Sequence, residues 1–306
     1  MNMQITENTQ DLDRNIDGYR LLKLLGRGDG SEIYLAQREG QQLPVAVKIL
    51  PGQRAGDDLA RFYVHAARIK RLQHSHIVSV RDYGTRDHFT YVVMDYMPNG
   101  NLRERHARGS LVPPATVIRY IQQLAQALSY LHQQQLIHRD LKPQNMLLNA
   151  RNEVVLSDFG ISVVSHSLDP IAPIQHDFEG TVIYCAPEQL LGRPRRASDQ
   201  YALGVVVYEW LCGTRPFTGA FDEMVEQHLH RMPPPLRSQN PSLSPLIEQV
   251  VMKSLAKSPE KRFPSINDFA QALIWAIEQD LPEALPPPPE TPRPELLRQF
   301  KRPRLF

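Results

Sequence analysis

Only two cysteines, Cys185 and Cys212, occur in 306 residues. Two thiols cannot make a disulfide framework, so a reducing cytoplasmic compartment is expected. Charge of one sign is lacking as well. Lys and Arg number 35 against 33 Asp and Glu, a formal net of +2, which is too near neutrality to point to nucleic acid or a membrane surface as partner. No apolar run reaches membrane-spanning length; the nearest, Ala202 to Cys212, is broken by Glu209 and reads as a buried helix. The opening stretch, Met1 to Asp17, is polar and lacks the basic-then-apolar order of a signal peptide, so residues 1–17 read as a disordered lead. Two local gaps bear on function. There is no Asp or Glu from Leu59 through Arg81, and no Ser, Thr or Tyr from Leu168 through Gly180.

What is present is the composition of a globular protein, 42% hydrophobic and 22% charged, on a chain long enough for one large or two small domains. Tyr19–Leu25 and Glu32–Gln37 read as strands around a glycine-containing turn. Pro44–Ile49 reads as a third strand, its weak alternation predicting burial on both faces. Leu59, Phe62, Ala66 and Ile69 recur at helical spacing. Ile77–Tyr83 and Phe89–Tyr96 complete a small lobe of five strands and one main helix. Beyond Asn99 the pattern turns helical: a stripe from Val117 to Leu131, an apolar helix over Asp199–Cys212, and amphipathic helices over Leu243–Leu255 and Ile266–Ile277. A short hairpin, Met146–Leu148 with Val154–Leu156, interrupts them. The fold class is therefore α+β. After Leu281 comes Pro286 to Pro289 and then a basic end, Lys301, Arg302 and Arg304. Polyproline is extended and builds no core, so 279–306 reads as a tail, available to a binding partner.

The chemistry concentrates in His138-Arg139-Asp140-Leu141-Lys142-Pro143-Gln144-Asn145, followed by Asp158-Phe159-Gly160 and Ala186-Pro187-Glu188. An acid, a cation and an amide oxygen on one short segment meet the needs of phosphoryl transfer: a carboxylate for a hydroxyl proton, a cation for phosphate oxygens, and oxygen ligands for magnesium. In this order the motifs resemble the protein kinase family, specifically its Ser/Thr branch, and the short loops resemble its bacterial members. The resemblance covers 18–278, with 18–97 as small lobe and 98–278 as large lobe.

The resemblance implies ATP with Mg2+, or Mn2+ in its place, as cofactors, and a protein substrate. It implies Asp140 as catalytic base, Lys142 on the γ-phosphate, Lys48 on the α- and β-phosphates, and Asn145 and Asp158 on the metal. Gly26, Gly28 and Gly30 would let backbone N–H groups approach the phosphates. Ile33 and Ala46 would cover the adenine and Leu147 would underlie it. Met94 would guard the back pocket, while the Asp95 carbonyl and Met97 N–H would bond the adenine edge. His138 and Phe159 would be structural, Thr181 would bond Asp140 and Lys142, Glu188 would pair with Arg262, and Asp199 would brace the catalytic loop.

Three departures stand out. Ser31 occupies the place of the third glycine, implying a stiffer phosphate cover. Counting back from Leu72-Gln73-His74 places His65 where the family has the glutamate that holds Lys48. A neutral imidazole in place of a carboxylate forfeits a charge-assisted bond of about 1.5–3 kcal/mol, which predicts a weak enzyme, or one activated by a partner or by dimerisation. Ser162, Ser165 and Ser167 are available early in the segment that would engage Arg139, but the usual phosphorylated hydroxyl further on is missing, and Asp177 or Glu179 is the expected permanent partner. The alternative is a pseudokinase, a nucleotide-binding signalling scaffold. A small-molecule phosphotransferase is disfavoured by Gly180-Thr181, Ala186-Pro187-Glu188 and the Asp199 helix, which build a platform for protein substrates.

Overall fold

The computed structural model describes residues 15–28, 30–51, 56–86, 88–158 and 182–280. The small lobe is an antiparallel sheet of β1 (Asn15–Ile16), β2 (Tyr19–Gly28), β3 (Ser31–Arg38), β4 (Pro44–Pro51), β5 (Val80–Arg86) and β6 (Phe89–Asp95), in the order β1-β2-β3-β4-β6-β5. The helix α1 (Gly56–Lys70) packs against it. Four of the strands stand where the sequence predicts them, and β5 runs three residues later than the expected Ile77–Tyr83, because Ile77 bridges to Leu156 of the large lobe. The sixth, β1, corrects the reading of residues up to 17 as a lead. Asp17 (φ 49°) and Gly18 (φ 86°) turn the chain so that Ile16 pairs with Tyr19 and is buried in the sheet's outer core. A two-residue strand is too short for alternation to reveal it.

The central strand β4 is buried on both faces, as its pattern predicts. Val45, Val47 and Ile49 join one cluster with Ile16, Tyr19 and Val93, while Ala46 and Leu50 join the core that runs under α1 into the large lobe. That placement directs Ala46 and Lys48 to one side, toward the cleft. Phe62, Ala66 and Ile69 anchor α1, and Arg68 Nη2 donates to the carbonyls of Gln134 (2.5 Å) and Gln135 (3.1 Å), tying the helix to the lobe below.

The large lobe contains α2 (Leu102–Arg105), α3 (Pro114–Gln133), the hairpin β7 (Met146–Leu148) and β8 (Val154–Leu156), then α4 (Pro187–Leu190), α5 (Arg196–Cys212), α6 (Phe221–His230), α7 (Leu236–Gln239), α8 (Pro245–Ser254) and α9 (Ile266–Glu278). The helix α5 is apolar nearly all round and is correspondingly the buried centre of the lobe. Among the described residues no helix is long and apolar enough to cross a membrane.

The helix α6 has no clear sequence stripe because its buried residues are Met224, Gln227 and His228. His228 is held between Tyr201 Oη (3.0 Å) and the Ile183 carbonyl (3.1 Å). Burial first, and then the Lys257 cation, depress its pKa to about 3. Unfolded histidine takes up a proton near pH 6.5, and the folded protein does so only near 3. Stability is therefore fully present above about pH 6.5 and declines as pH falls toward 3. The melting temperature should drop between pH 7.5 and 5, and His228→Gln should flatten that drop. An equal drop in the variant would assign it elsewhere.

Candidate active site

A cavity of about 960 Å3 lies between the lobes. Its roof comes from the register of the small sheet: Gly26 pairs with Ile33, Ile33 with Lys48, and Ala46 with Met94, so glycine turn, lysine and linker meet on one face. Gly26, Gly28, Ile33, Ala46, Lys48, Met94, Asp95 and Met97 line it from above, and Lys142, Asn145, Leu147 and Asp158 from below. Of the residues expected from sequence, Gly30 and Asp140 are not on its wall. Gly30 takes a left-handed conformation, φ 67°, at the tip of the turn closed by the Gly28–Ser31 pair. Ser31 Oγ donates to the Gly28 carbonyl at 2.8 Å, so the serine in the third glycine's place closes the turn. A Cβ added to Gly26 or Gly28 would meet no protein atom within 4 Å. Packing therefore does not require these glycines, and their bare backbone faces the cavity, a fit for phosphate.

At the inner end, Lys48 Nζ and Asp158 Oδ1 form an ion pair of 2.7 Å, both side chains nearly buried. Asp158 takes φ 61° to reach it. Burial alone would raise the Asp158 carboxyl, but the Lys48 ammonium and its hydrogen bond, helped by Lys142, hold it below the usual range. The carboxylate on Lys48 is thus the metal ligand expected from the sequence. His65, in the expected position on α1, is half-buried.

Asp140 sits beside the floor. Lys142 Nζ lies 3.1 Å from Asp140 Oδ2, and Asn145 Nδ2 donates to the Asp140 carbonyl (2.8 Å) and to Oδ2 (2.9 Å). The turn that assembles these groups is strained, since Arg139 has φ 69°. Asp199, at the start of α5, compensates: it accepts from the backbone N–H of His138 and of Arg139, each at 3.0 Å, and from His132 Nε2 at 2.7 Å. His138 Nε2 donates to the Ser157 carbonyl (3.0 Å), and its Nδ1 accepts from the Asp140 N–H (3.3 Å). Burial lowers its pKa, so the ring stays neutral and fixes both strands of the loop.

Glu188 and Arg262 form the expected buried pair, bidentate at 2.7 and 2.8 Å. Cys185 is buried, which pushes its thiol up and leaves it a poor nucleophile. Phe159, Gly160, Thr181, the serines at 162, 165 and 167, Asp177, Glu179 and the tail from 281 lie outside the described residues. Sequence reasoning missed Asn101 and Glu104, which also line the cavity mouth. Their only signal is an Asn with Glu three residues on. They form the capping box of α2, Asn101 Oδ1 accepting from the Glu104 N–H at 3.0 Å.

A cleft between a twisted sheet and a helical lobe, with a lysine–aspartate pair at one end and an Asp-Lys-Asn cluster below it, defines a phosphotransferase architecture. The protein kinase domain model matches residues 19–273, and the chain belongs to that family. It is 32% identical over 276 residues to the serine/threonine-protein kinase PrkC of Bacillus subtilis, covering 88% of this chain and 42% of that protein. To PknB of Mycobacterium tuberculosis it is 36% identical over 278 residues, 88% and 44% of the two chains. To PknF of the same organism it is 36% identical over 269 residues, 84% and 56%. The chain therefore spans about half the length of the relatives it matches, or less.

Proposed function

We propose that this chain transfers the γ-phosphate of ATP to serine or threonine hydroxyls of protein substrates, with 18–97 and 98–278 as its two lobes and the cytoplasm as its compartment. The observation that carries the reading is the Asp140–Lys142–Asn145 cluster on the floor of a cleft that ends at Lys48–Asp158. The relatives' names, serine/threonine-protein kinases, agree with it. The acceptor oxygen bonds to the γ-phosphorus as the bond to the β–γ bridging oxygen breaks. Asp140 takes the hydroxyl proton, Lys142 neutralises charge on the transferring group, and ADP leaves. Met97 N–H and the Asp95 carbonyl hold the adenine edge between Ala46 and Leu147.

Among the described residues, no group of three or more His, Cys, Asp and Glu is placed to hold a metal by itself. Asn145 and Asp158 instead offer a pair of oxygen ligands to a magnesium ion that the nucleotide's phosphates complete, the usual donor set for this ion. Bound there, Mg2+ would neutralise phosphate charge.

Beyond Asp58, in its first turn, α1 carries no carboxylate, and Lys48 pairs with Asp158, which the metal would also require. This supports the reading of a weak or partner-activated enzyme. Restoring the acid with His65→Glu should raise turnover roughly tenfold to a hundredfold, the rate equivalent of one charge-assisted hydrogen bond. Unchanged turnover would remove the pairing argument. If ATP raises the melting temperature and no phosphate is transferred, the chain is a nucleotide-binding scaffold instead.

A further inference from the structure

Arg103 lies on the side of α2 that faces away from the cavity. Its Nη2 donates to Tyr184 Oη at 2.7 Å and to Glu209 Oε2 at 2.8 Å, and Tyr184 Oη donates to the same carboxylate oxygen at 2.7 Å. The triangle is closed and largely dry: Arg103, Tyr184 and Glu209 are 18%, 4% and 5–6% exposed. It joins three elements distant in sequence, since Tyr184 ends the 3-10 turn Val182–Tyr184 that leads into Ala186-Pro187-Glu188, and Glu209 belongs to α5.

The triangle does more than stabilise. Among the described residues, Arg103 Nε is buried without a partner, an arrangement an apolar side chain would avoid. Its position supplies a role. The helix α2 is a single turn, fixed by its capping box and by fully buried Leu102. Asn101 and Glu104 on one side of that turn line the cavity, and Arg103 on the other holds Tyr184. A ligand that fills the cavity mouth therefore touches a rigid unit whose far side grips the segment beside the catalytic loop. That segment is otherwise tied to α6 through His228 and the Ile183 carbonyl, and α4, which follows it, is tied to the loop through Gln189 Nε2 and the Arg139 carbonyl (2.6 Å).

We propose that Arg103, acting through Tyr184, is a positioning residue that couples nucleotide occupancy of the cavity to the order of the 182–186 segment. The inference rests on the cavity being the nucleotide site and adds a route from it to the acceptor side. Burial, and next the Glu209 carboxylate, push the Tyr184 hydroxyl far above its ordinary pKa, so it remains a donor at any working pH.

The test is hydrogen exchange on the whole chain with and without MgADP, following residues 94–101 and 182–186 separately. Tyr184→Phe removes one hydroxyl and keeps the Arg103–Glu209 pair. Arg103→Lys keeps the charge and cannot span both partners, and serves if the first variant folds poorly. In the wild type MgADP should slow exchange in both segments, by roughly two- to thirtyfold at 182–186. In either variant protection at 94–101 should persist and that at 182–186 should vanish, with KM for myelin basic protein rising and KM for ATP unchanged. Protection at 182–186 that survives in the variants, or that is missing from the wild type while 94–101 is protected, overturns the coupling. No protection at 94–101 in the wild type overturns the nucleotide site, and the coupling with it.

Discussion

Asp140→Asn should reduce phosphate transfer by roughly a hundredfold to ten-thousandfold, the range associated with losing a positioned general base. The substitution changes no volume. Asn145 Nδ2, which lies 2.9 Å from Asp140 Oδ2, can donate as well to an amide oxygen as to a carboxylate. The backbone brace through Asp199 is also untouched, because it acts on His138 and Arg139. What disappears is the proton acceptor and the negative partner that holds Lys142 at 3.1 Å. ATP binding, followed by thermal shift, should persist because Lys48, Asp158 and the adenine wall remain. A variant that loses ATP binding with activity would mean that Asp140 supports the cavity and not the chemistry.

The second large effect falls on stability. Arg262 is fully buried, and besides Glu188 it donates to the carbonyls of Ala197 (2.7 Å), Ala256 (2.8 Å) and Lys257 (3.1 Å). Arg262→Ala would leave the Glu188 carboxylate in the interior with the Ser198 hydroxyl at 2.7 Å as its remaining side-chain partner. Breaking a buried pair from one side costs about 3–5 kcal/mol, which for a domain of this size lowers the melting temperature by roughly 6–20 °C. Activity per folded molecule should fall as well, since Glu188 belongs to the segment that Gln189 ties to the catalytic loop. A melting temperature within a degree of wild type would show the pair to be dispensable.

Much of this was legible in the chain. The β7–β8 hairpin falls at the residues predicted, and α5 is buried nearly all round, as its apolar run from Ala202 to Cys212, interrupted only by Glu209, predicts. The motif residues stand in short segments whose local order already places acid, cation and amide together, so Asp140, Lys142 and Asn145 converge without long-range information. Asp199 with the catalytic loop and Glu188 with Arg262 were legible only through the family resemblance, being 60 and 74 positions apart. What the sequence hid has physical causes. The strand β1 is two residues long, and α6 buries a glutamine and a histidine where a stripe would show leucines. The absence of an acid from Leu59 to the end of α1 was visible, but not the ion pair that Lys48 makes with Asp158, 110 positions further on. The Arg103–Tyr184–Glu209 triangle spans up to 106 positions and leaves no periodic trace.

The most direct test of the central claim is phosphoamino-acid analysis of myelin basic protein after incubation with the wild-type chain, Mg2+ and γ-labelled ATP. Label is expected on phosphoserine or phosphothreonine. Label confined to phosphotyrosine, or no label from a chain that binds ATP, would contradict it.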